Sequence, residues 1–224
     1  MRDDRSVTAS AVTRRSWPSA LAVLLLGGLL LTVFPAAAEE GWDAYKRKDY
    51  EAALRIWLPE AEKGNATMQY RIGSLYDFGY GVAKDEAKAA QWYERAAAQG
   101  GVSAQYNLAL IYDNGQVGIG QDLAKATGLY RQAAEQGHTK AMFNLGVAYA
   151  NGRGIARDDA QAAVWYRKAA EDGFNLAQTN LGYMYANSRG VPADREAAIR
   201  WYREGAANGD EMARSSLRRL GVEE

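Results

Sequence analysis

A motif of nine residues recurs four times along this 224-residue chain at an almost constant spacing. The copies begin at Met68, Ala104, Ala141 and Ala177, and Ala213 continues the series, so that each spacing is 36 or 37 residues. A fixed period in this range is typical of a solenoid, in which each unit buries its apolar face by stacking on its neighbours. The repeat therefore predicts an extended binding surface and no deep catalytic cleft.

Each copy of the motif predicts an amphipathic helix, which we call helix A. When the motif is numbered from zero, positions 0, 4 and 8 are apolar or tyrosine and fall within about 80° on a helical wheel, so we expect them to form the buried face. Position 5 is small in every copy. Because glycine weakens a helix interior, its recurrence indicates that another helix approaches closely there. The residues at position 5 are Gly73, Ala109, Gly146 and Gly182.

A glycine-containing loop and a second helix, helix B, follow each copy. An aspartate stands at the start of each predicted helix B, at Asp85, Asp122, Asp158 and Asp194. Since aspartate is a preferred N-cap residue, we expect these side chains to cap helix B and not to act as catalytic acids or metal ligands. Helix B carries bulky residues followed by small ones, a pattern that predicts close helix packing. The glycines predicted to end helix B are Gly100, Gly137, Gly173 and Gly209.

A truncated unit precedes the first full copy, and a short helix follows the last. Residues 41–48 form a shortened helix A, and the segment from Asp49 to Gly64 keeps the helix-B spacing. Leu217 and Leu220 predict a final helix that closes the stack. The repeat domain is expected over residues 39–224. Its predicted units are about 40–66, 67–102, 103–139, 140–175 and 176–211, with a cap over 212–224.

These ordered motifs resemble the Sel1-like repeat family, a relative of the tetratricopeptide repeat. The shared pattern is Ala-x-Tyr-Asn-Leu-Gly-x-x-Tyr, Gly-x-Gly-Val, Asp, Trp-Tyr-x-x-Ala-Ala and Gly, and it covers roughly residues 40–220. The resemblance implies an all-α fold: a right-handed superhelical solenoid of about five helix pairs that serves protein–protein assembly, often in bacterial envelopes or signalling. The departures from the pattern are Ala109, Leu129, Thr179 and Gly205, and none removes a catalytic group, because the repeat has none.

The first 38 residues have a different composition from the rest. Four arginines precede an apolar run over residues 20–34, and three alanines at 36–38 stand before Glu39. This arrangement is typical of a secretory signal peptide, and the run of about 15 residues is shorter than the roughly 20 that span a bilayer. We therefore expect residues 1–38 to be cleaved and the domain to be periplasmic or secreted. The alternative is a membrane anchor through residues 20–34.

Composition argues against several functional classes. The 27 basic residues are balanced by 27 acidic ones, so nothing predicts nucleic-acid binding. The chain has no cysteine, and His138 is its single histidine, so no zinc site or Cys–His nucleophile is expected. No Lys-Ser or Lys-Thr pair follows the loop glycines in the place that a phosphate-binding loop requires, and we expect no cofactor. His138 itself is expected to be a solvated turn residue.

A partner protein or peptide is expected on the face of helix A that points away from the core, which lines the concave side in tetratricopeptide stacks. The predicted contact residues are Tyr70, Arg71, Tyr106, Asn107, Leu110, Asp113, Phe143, Asn144, Asn151, Asn180, Tyr183 and Asn187. Asparagine recurs at position 3, and its amide suits the backbone of an extended peptide. Alternatively, each asparagine bonds a neighbouring helix and fixes the angle between repeats.

These observations predict an exported, non-enzymatic scaffold or adaptor, in envelope signalling or cell-wall assembly. The alternative is a β-lactamase-like hydrolase, which rests on the family resemblance alone, because no nucleophile motif is present. Membrane association is expected only if the signal peptide is retained.

Overall fold

The computed structural model describes residues 36–115 and 118–222, and within these ranges the regular structure is entirely α-helical. The eleven described helices are α1 Ala36–Lys46, α2 Tyr50–Glu62, α3 Ala66–Phe78, α4 Glu86–Ala98, α5 Val102–Asn114, α6 Leu123–Glu135, α7 Thr139–Asn151, α8 Asp159–Glu171, α9 Asn175–Ala186, α10 Arg195–Ala207 and α11 Glu211–Arg219. Each helix packs on the next, most extensively within a unit. The predicted all-α repeat solenoid is confirmed.

The predicted membrane anchor over residues 20–34, and the signal peptide except for its last three residues, lie outside the described ranges. The first described helix differs from the prediction of a helix A over residues 41–48, since α1 runs from Ala36 to Lys46. It ends there because Lys48 adopts a left-handed backbone with φ of 63°, which cannot continue an α-helix. None of the helices in the described ranges has the length and apolar character needed to span a membrane.

The predicted aspartate caps are confirmed. The carboxylate of Asp85 accepts a hydrogen bond from the amide of Lys88 at 2.9 Å, and the equivalent bonds of Asp122, Asp158 and Asp194 have the same length. Each bond satisfies one of the first-turn amides that a helix leaves without an intrahelical partner. The four glycines predicted to end helix B have φ between 83° and 90°, a conformation that glycine adopts without steric cost.

The small residue at position 5 makes room for a tyrosine of helix B, as its recurrence predicted. A β-carbon placed on Gly73 would lie 2.7 Å from Cδ1 of Tyr93. The same substitution at Gly146 would meet Cδ1 of Tyr166 at 2.7 Å, and α9 repeats this arrangement. Both tyrosines are buried, so helices A and B of one unit interlock at this point.

The predicted buried stripe of helix A is correct at positions 0 and 4 but wrong at position 8. The tyrosines at position 8 are only half-buried, and the hydroxyl groups of Tyr112, Tyr149 and Tyr185 extend to polar side chains of the preceding helix B. Tyr112 donates to Glu94 at 2.6 Å, and Arg131 donates to the hydroxyl oxygen of Tyr149 at 3.1 Å. Position 7 supplies the third buried side chain instead, and the residues there are Leu75, Ile111, Ala148 and Met184. Three of the four position-8 tyrosines thus link successive units.

The loop glycines have a second role, because the loop of one unit packs against the start of helix B in the previous unit. A β-carbon on Gly154 would lie 2.0 Å from the carbonyl oxygen of Leu123 in α6. Gly190 has the same relationship to the carbonyl oxygen of Asp159 in α8. Only a residue without a side chain allows this approach.

A buried glutamine at position 1 also joins the units, although this role was not predicted from sequence. The amide of Gln105 donates to the carbonyl oxygen of Ala97 at 3.4 Å and accepts from Gln136 at 2.8 Å. Gln69 and Gln178 make equivalent bonds. Each amide satisfies a carbonyl at the end of the preceding helix B, where intrahelical donors have run out.

The final helix closes the stack as predicted. Ala213 and Leu217 of α11 are buried against Tyr202 and Ala206 of α10, and Leu220 packs at the edge of this cluster. Glu211, Arg218 and Arg219 of α11 are exposed, whereas Arg214 is half-buried. An amphipathic helix of this kind covers an apolar face that a further repeat would otherwise cover.

Candidate functional site

The A face is defined as the surface formed by positions 2, 3, 6, 9 and 10 of helix A on α3, α5, α7 and α9. It contains all twelve predicted contact residues, and each of them keeps some solvent exposure. Asn151, Tyr183 and Asn187 are exposed, whereas the other nine are half-buried. The face is accessible, but most of its side chains also pack within the fold.

The aromatic residues at position 2 pack against the buried tyrosines of helix B. The ring centroids of Tyr70 and Tyr93 are 5.7 Å apart, and those of Phe143 and Tyr166 are 5.8 Å apart. Phe143 also contacts Phe174, at the start of the next helix A, with centroids 5.1 Å apart. Tyr106 likewise packs against Tyr130 of helix B and against His138, at the start of the next helix A. These rings contribute to the connection between units as well as to the surface.

Two of the asparagines at position 3, Asn107 and Asn144, contact the preceding unit. Nδ2 of Asn107 donates to the hydroxyl oxygen of Tyr93 at 3.2 Å, and this hydroxyl lies 3.2 Å from a carboxylate oxygen of Asp77. Burial raises the pKa of Tyr93, and the hydrogen bond from Asn107 opposes this rise. Asn144 has the same effect on Tyr130. This geometry favours the interpretation that these two asparagines fix the packing of repeats.

Asp113 takes part in an ion pair between units. Its carboxylate accepts from Arg153 at 2.7 Å and from the hydroxyl of Tyr130 at 3.3 Å. The carbonyl of Arg153 accepts from the hydroxyl of Thr127 at 2.8 Å. These residues line a pocket of about 120 Å³ together with Asn144. Arg153 was not predicted from sequence, because it stands in a loop outside the helix-A motif.

The exposed members of the predicted contact set stand at positions 6 and 10 of helix A. The side-chain amides of Asn151 and Asn187 donate to the carbonyl oxygens of Val147 and Tyr183, at 3.0 and 2.8 Å, and so terminate α7 and α9. The ring of Tyr183 is 44% exposed. Leu110, by contrast, packs against the edge of the central core cluster.

The expectation that His138 is a solvated turn residue is wrong. His138 is the N-cap residue of α7, and its Nδ1 accepts from the amide of Ala141 at 3.2 Å. Its ring stacks on Tyr106, with centroids 4.4 Å apart. Burial lowers the pKa of His138, and the positive charge of Lys140 lowers it further. His138 therefore acts as a cap that depends on its neutral form.

An aromatic pocket lies at the N-terminal end of the A face, around Arg71. It has a volume of about 330 Å³, and α1, α2 and α3 contribute its walls. The guanidinium carbon of Arg71 lies 4.6 Å from the ring centroid of Trp42 and 5.0 Å from that of Trp57. Arg71 is among the contact residues predicted from sequence, but Trp42 is not, because it stands in the truncated first helix and outside the repeat register.

The chemistry of these residues suits binding. The A face combines aromatic rings, amides and a few charged groups, which supply contact area and hydrogen bonds to a polypeptide. Asn180 adds a half-buried amide on α9, at the same position as Asn107 and Asn144. The hydroxyl groups of Tyr93 and Tyr130 are hydrogen-bonded to carboxylates, but burial holds them protonated, which suits a structural role.

The comparisons with known proteins agree with this architecture. Four copies of the Sel1 repeat model match residues 66–101, 102–138, 139–174 and 175–210. The crystal structure of a Sel1 repeat protein from Oxalobacter formigenes is 40% identical, with a TM-score of 0.74, over 79% of this chain and 72% of that one. The protective antigen c5321 of uropathogenic Escherichia coli, which has an SLR fold, is 35% identical, with a TM-score of 0.79, over 83% of this chain and 41% of that one.

Among curated proteins, human protein sel-1 homolog 2 is 39% identical over 71 residues, which are 31% of this chain. The match spans about 10% of the length of that relative. Proteins built from Sel1 repeats are generally non-catalytic scaffolds for protein–protein interaction, and these similarities give no support to the β-lactamase-like alternative. The four matched ranges cover more than half of the sequence, and the chain belongs to the Sel1 repeat family.

Proposed function

We propose that this chain is an exported scaffold that holds a partner protein through an extended segment lying along the A face. The observation that carries the proposal is the exposure of two aromatic rings on this face. Phe78 is 60% exposed and Tyr183 is 44% exposed, although both belong to helices whose other large apolar residues are mostly buried or half-buried. Aromatic side chains supply much of the binding energy at protein interfaces.

The half-buried residues of the A face support the same role. Tyr106 and Phe143 are held in fixed positions by His138 and Phe174, so little side-chain entropy is lost when a partner covers them. Asn107 and Asn144 are held by tyrosine hydroxyls in the same way. Because the A face combines preorganised rings with amides, it suits a peptide segment better than a flat, wholly apolar surface would.

Photocrosslinking in cells tests the proposed binding face. A photoreactive phenylalanine analogue is placed at position 183 on α9, and in a matched variant at position 164 on α8. Val164 is 44% exposed, the same fraction as Tyr183, but it belongs to helix B. We expect a discrete protein adduct from position 183 and none from position 164. Equal adducts from both positions, or none from either, would contradict the proposal.

Export and cleavage are tested separately, by sequencing the N-terminus of the protein recovered from the cell envelope and the medium. The composition of residues 1–38 supports removal of this segment, and a mature chain that begins at Glu39 is the expected result. A chain that retains residues 20–34 and sediments with membranes would favour the anchored alternative. Recovery of the whole chain in the cytoplasm would reject export.

A further inference from the structure

The pocket around Arg71 has aromatic walls contributed by three helices. Trp42 and Tyr45 belong to α1, Trp57 to α2, and Tyr70 and Phe78 to α3. The rings of Trp42 and Tyr45 are stacked, with centroids 5.2 Å apart and planes inclined by 7°. A volume of about 330 Å³ is at the lower end of the range for ligand pockets and accommodates one large side chain.

Arg71 introduces a positive charge into this apolar pocket, and the described residues supply no counterion. Its Nη1 is buried and has no hydrogen-bond partner in the same part of the chain. Burial lowers the pKa of Arg71, and no carboxylate of the described ranges contributes to the shift. The π faces of the two indole rings stabilise the cation, but they offer its N–H groups no oxygen acceptor.

Three other arginines of the repeat have hydrogen-bond acceptors. Arg153 bonds Asp113 at 2.7 Å, Arg189 bonds Asp159 at 2.8 Å, and Arg131 donates to a tyrosine hydroxyl. Within the described residues, Arg71 is the arginine that carries a buried guanidinium nitrogen without an acceptor. A buried charge that lacks a partner is costly. Because the charge of a guanidinium is delocalised over its three nitrogens, an anion that approaches it from the pocket offsets part of this cost.

A second unpaired donor, Nε1 of Trp57, does not belong to the ligand site. A β-carbon placed on Gly41 would lie 2.1 Å from this nitrogen, so the backbone of α1 covers it. Arg71 is therefore the group that selects the ligand. A single guanidinium has the planar geometry of a carboxylate and supplies one positive charge, which suits a monoanion better than a phosphate.

We infer that this pocket binds the free C-terminal carboxylate of a partner chain whose last residue is apolar. The inference deepens the proposed scaffold function and rests on it. At a chain terminus the carboxylate and the apolar side chain are attached to the same carbon, so they enter a small pocket together. The polypeptide continues from the pocket in one direction only, and α5, α7 and α9 extend the A face in that direction. An acidic side chain inside a sequence would bring two backbone arms to the pocket.

The test uses three small probes and the indole N–H signals of Trp42 and Trp57 in nuclear magnetic resonance spectra of the full chain. The probes are N-acetyl-leucine, its C-terminal amide, and an N-acetyl-glutamic acid amide whose only carboxylate is on the side chain. For N-acetyl-leucine we expect a saturable shift of both signals, with a dissociation constant on the order of millimolar. Because the amide lacks the charge, we expect it to bind roughly tenfold more weakly or worse.

Two variants and one control complete the experiment. R71Q should abolish the preference for the acid over the amide, while F78A should weaken both probes, because Phe78 is an exposed wall of the pocket. R95Q is the matched control, since Arg95 lies 4.5 Å from the ring centroid of Trp92 on helix B and away from the pocket. We expect R95Q to bind like the parent, and circular dichroism verifies that each variant is folded.

Several results would overturn the inference. Absence of saturable binding, or equal binding of acid and amide, would leave Arg71 with a packing role only. Equal binding of the glutamic acid amide would reject a chain terminus in favour of an acidic side chain. These outcomes are independent of the crosslink from position 183, which would still establish or reject the scaffold function.

Discussion

Gly146 lies directly beneath the ring of Tyr166, so close that a β-carbon at position 146 would come within 2.7 Å of Cδ1 and Cε1. We expect G146A to lower the free energy of unfolding by about 1–3 kcal/mol, because the added methyl group overpacks the buried contact between α7 and α8. Chemical denaturation followed by circular dichroism measures this change.

A matched substitution separates this contact from helix propensity. Gly128 lies in α6 and is exposed, and no atom of the described ranges would lie within 4 Å of a β-carbon added there. G128A should therefore raise stability by about 0.5–1 kcal/mol, since alanine is the better helix former. If both variants shifted in the same direction, the contact with Tyr166 would not determine the choice of glycine at position 146.

Asn107 connects α5 to the hydroxyl group of Tyr93 on α4, and we expect this bond to contribute to stability. N107A and Y93F should each destabilise the protein, and a double-mutant cycle should give a coupling energy of about 0.5–1.5 kcal/mol. A coupling near zero, together with weaker crosslinking from position 183 in N107A, would show that the asparagine serves the partner and not the repeat angle.

The sequence predicted those features that depend on spacing and residue type. The aspartate caps and the glycines beneath Tyr93 and Tyr166 followed from recurrence, because each is a local requirement that successive units repeat. The final helix followed from the spacing of Leu217 and Leu220. The predicted contact residues also keep some solvent exposure, since helical periodicity determines which positions share a side.

Interactions between units were harder to predict. The hydroxyl group of Tyr112 reaches Glu94, and the amide of Gln105 reaches Ala97, in each case on the preceding helix B. Helical periodicity specifies which side of one helix a residue occupies, but not which polar atoms of a neighbour lie opposite. The recurrence of glutamine at position 1 was the available signal for the buried amides. The pocket at Arg71 had no such signal, because Trp42 lies outside the repeat register.

Ser188 stands where three other loops have glycine, and its φ of 53° is left-handed. A left-handed backbone costs a residue with a side chain about 1–2 kcal/mol, and glycine avoids this cost. Part of the resulting gain in stability is lost because glycine has greater conformational freedom in the unfolded chain. We expect S188G to raise the melting temperature by a few degrees, as measured by differential scanning calorimetry. S103G, at an exposed serine inside α5, is the control and should lower it.

His138 should make stability depend on pH in the mildly acidic range. Its pKa is lowered in the folded state, so the unfolded chain binds the proton more readily, and the stabilising effect is complete above the ordinary value near 6.5. As pH falls below that value this contribution is lost, until the folded state is also protonated. H138N retains an N-cap oxygen without titrating. We expect its unfolding free energy to decline less than that of the parent between pH 7 and pH 5, and parallel curves would contradict the assignment.

Replacing Arg71 tests whether the fold or the ligand requires its charge. R71M keeps a long side chain between Trp42 and Trp57, and a thioether also packs well against aromatic rings, but the buried cation is removed. We expect the free energy of unfolding to rise by about 1 kcal/mol, because a buried N–H group no longer lacks an acceptor. The same variant should lose the preference for N-acetyl-leucine over its amide. A loss of stability of similar size would instead show that the cation–π contacts outweigh the burial cost, and that Arg71 is retained for packing at the N-terminal end of the solenoid.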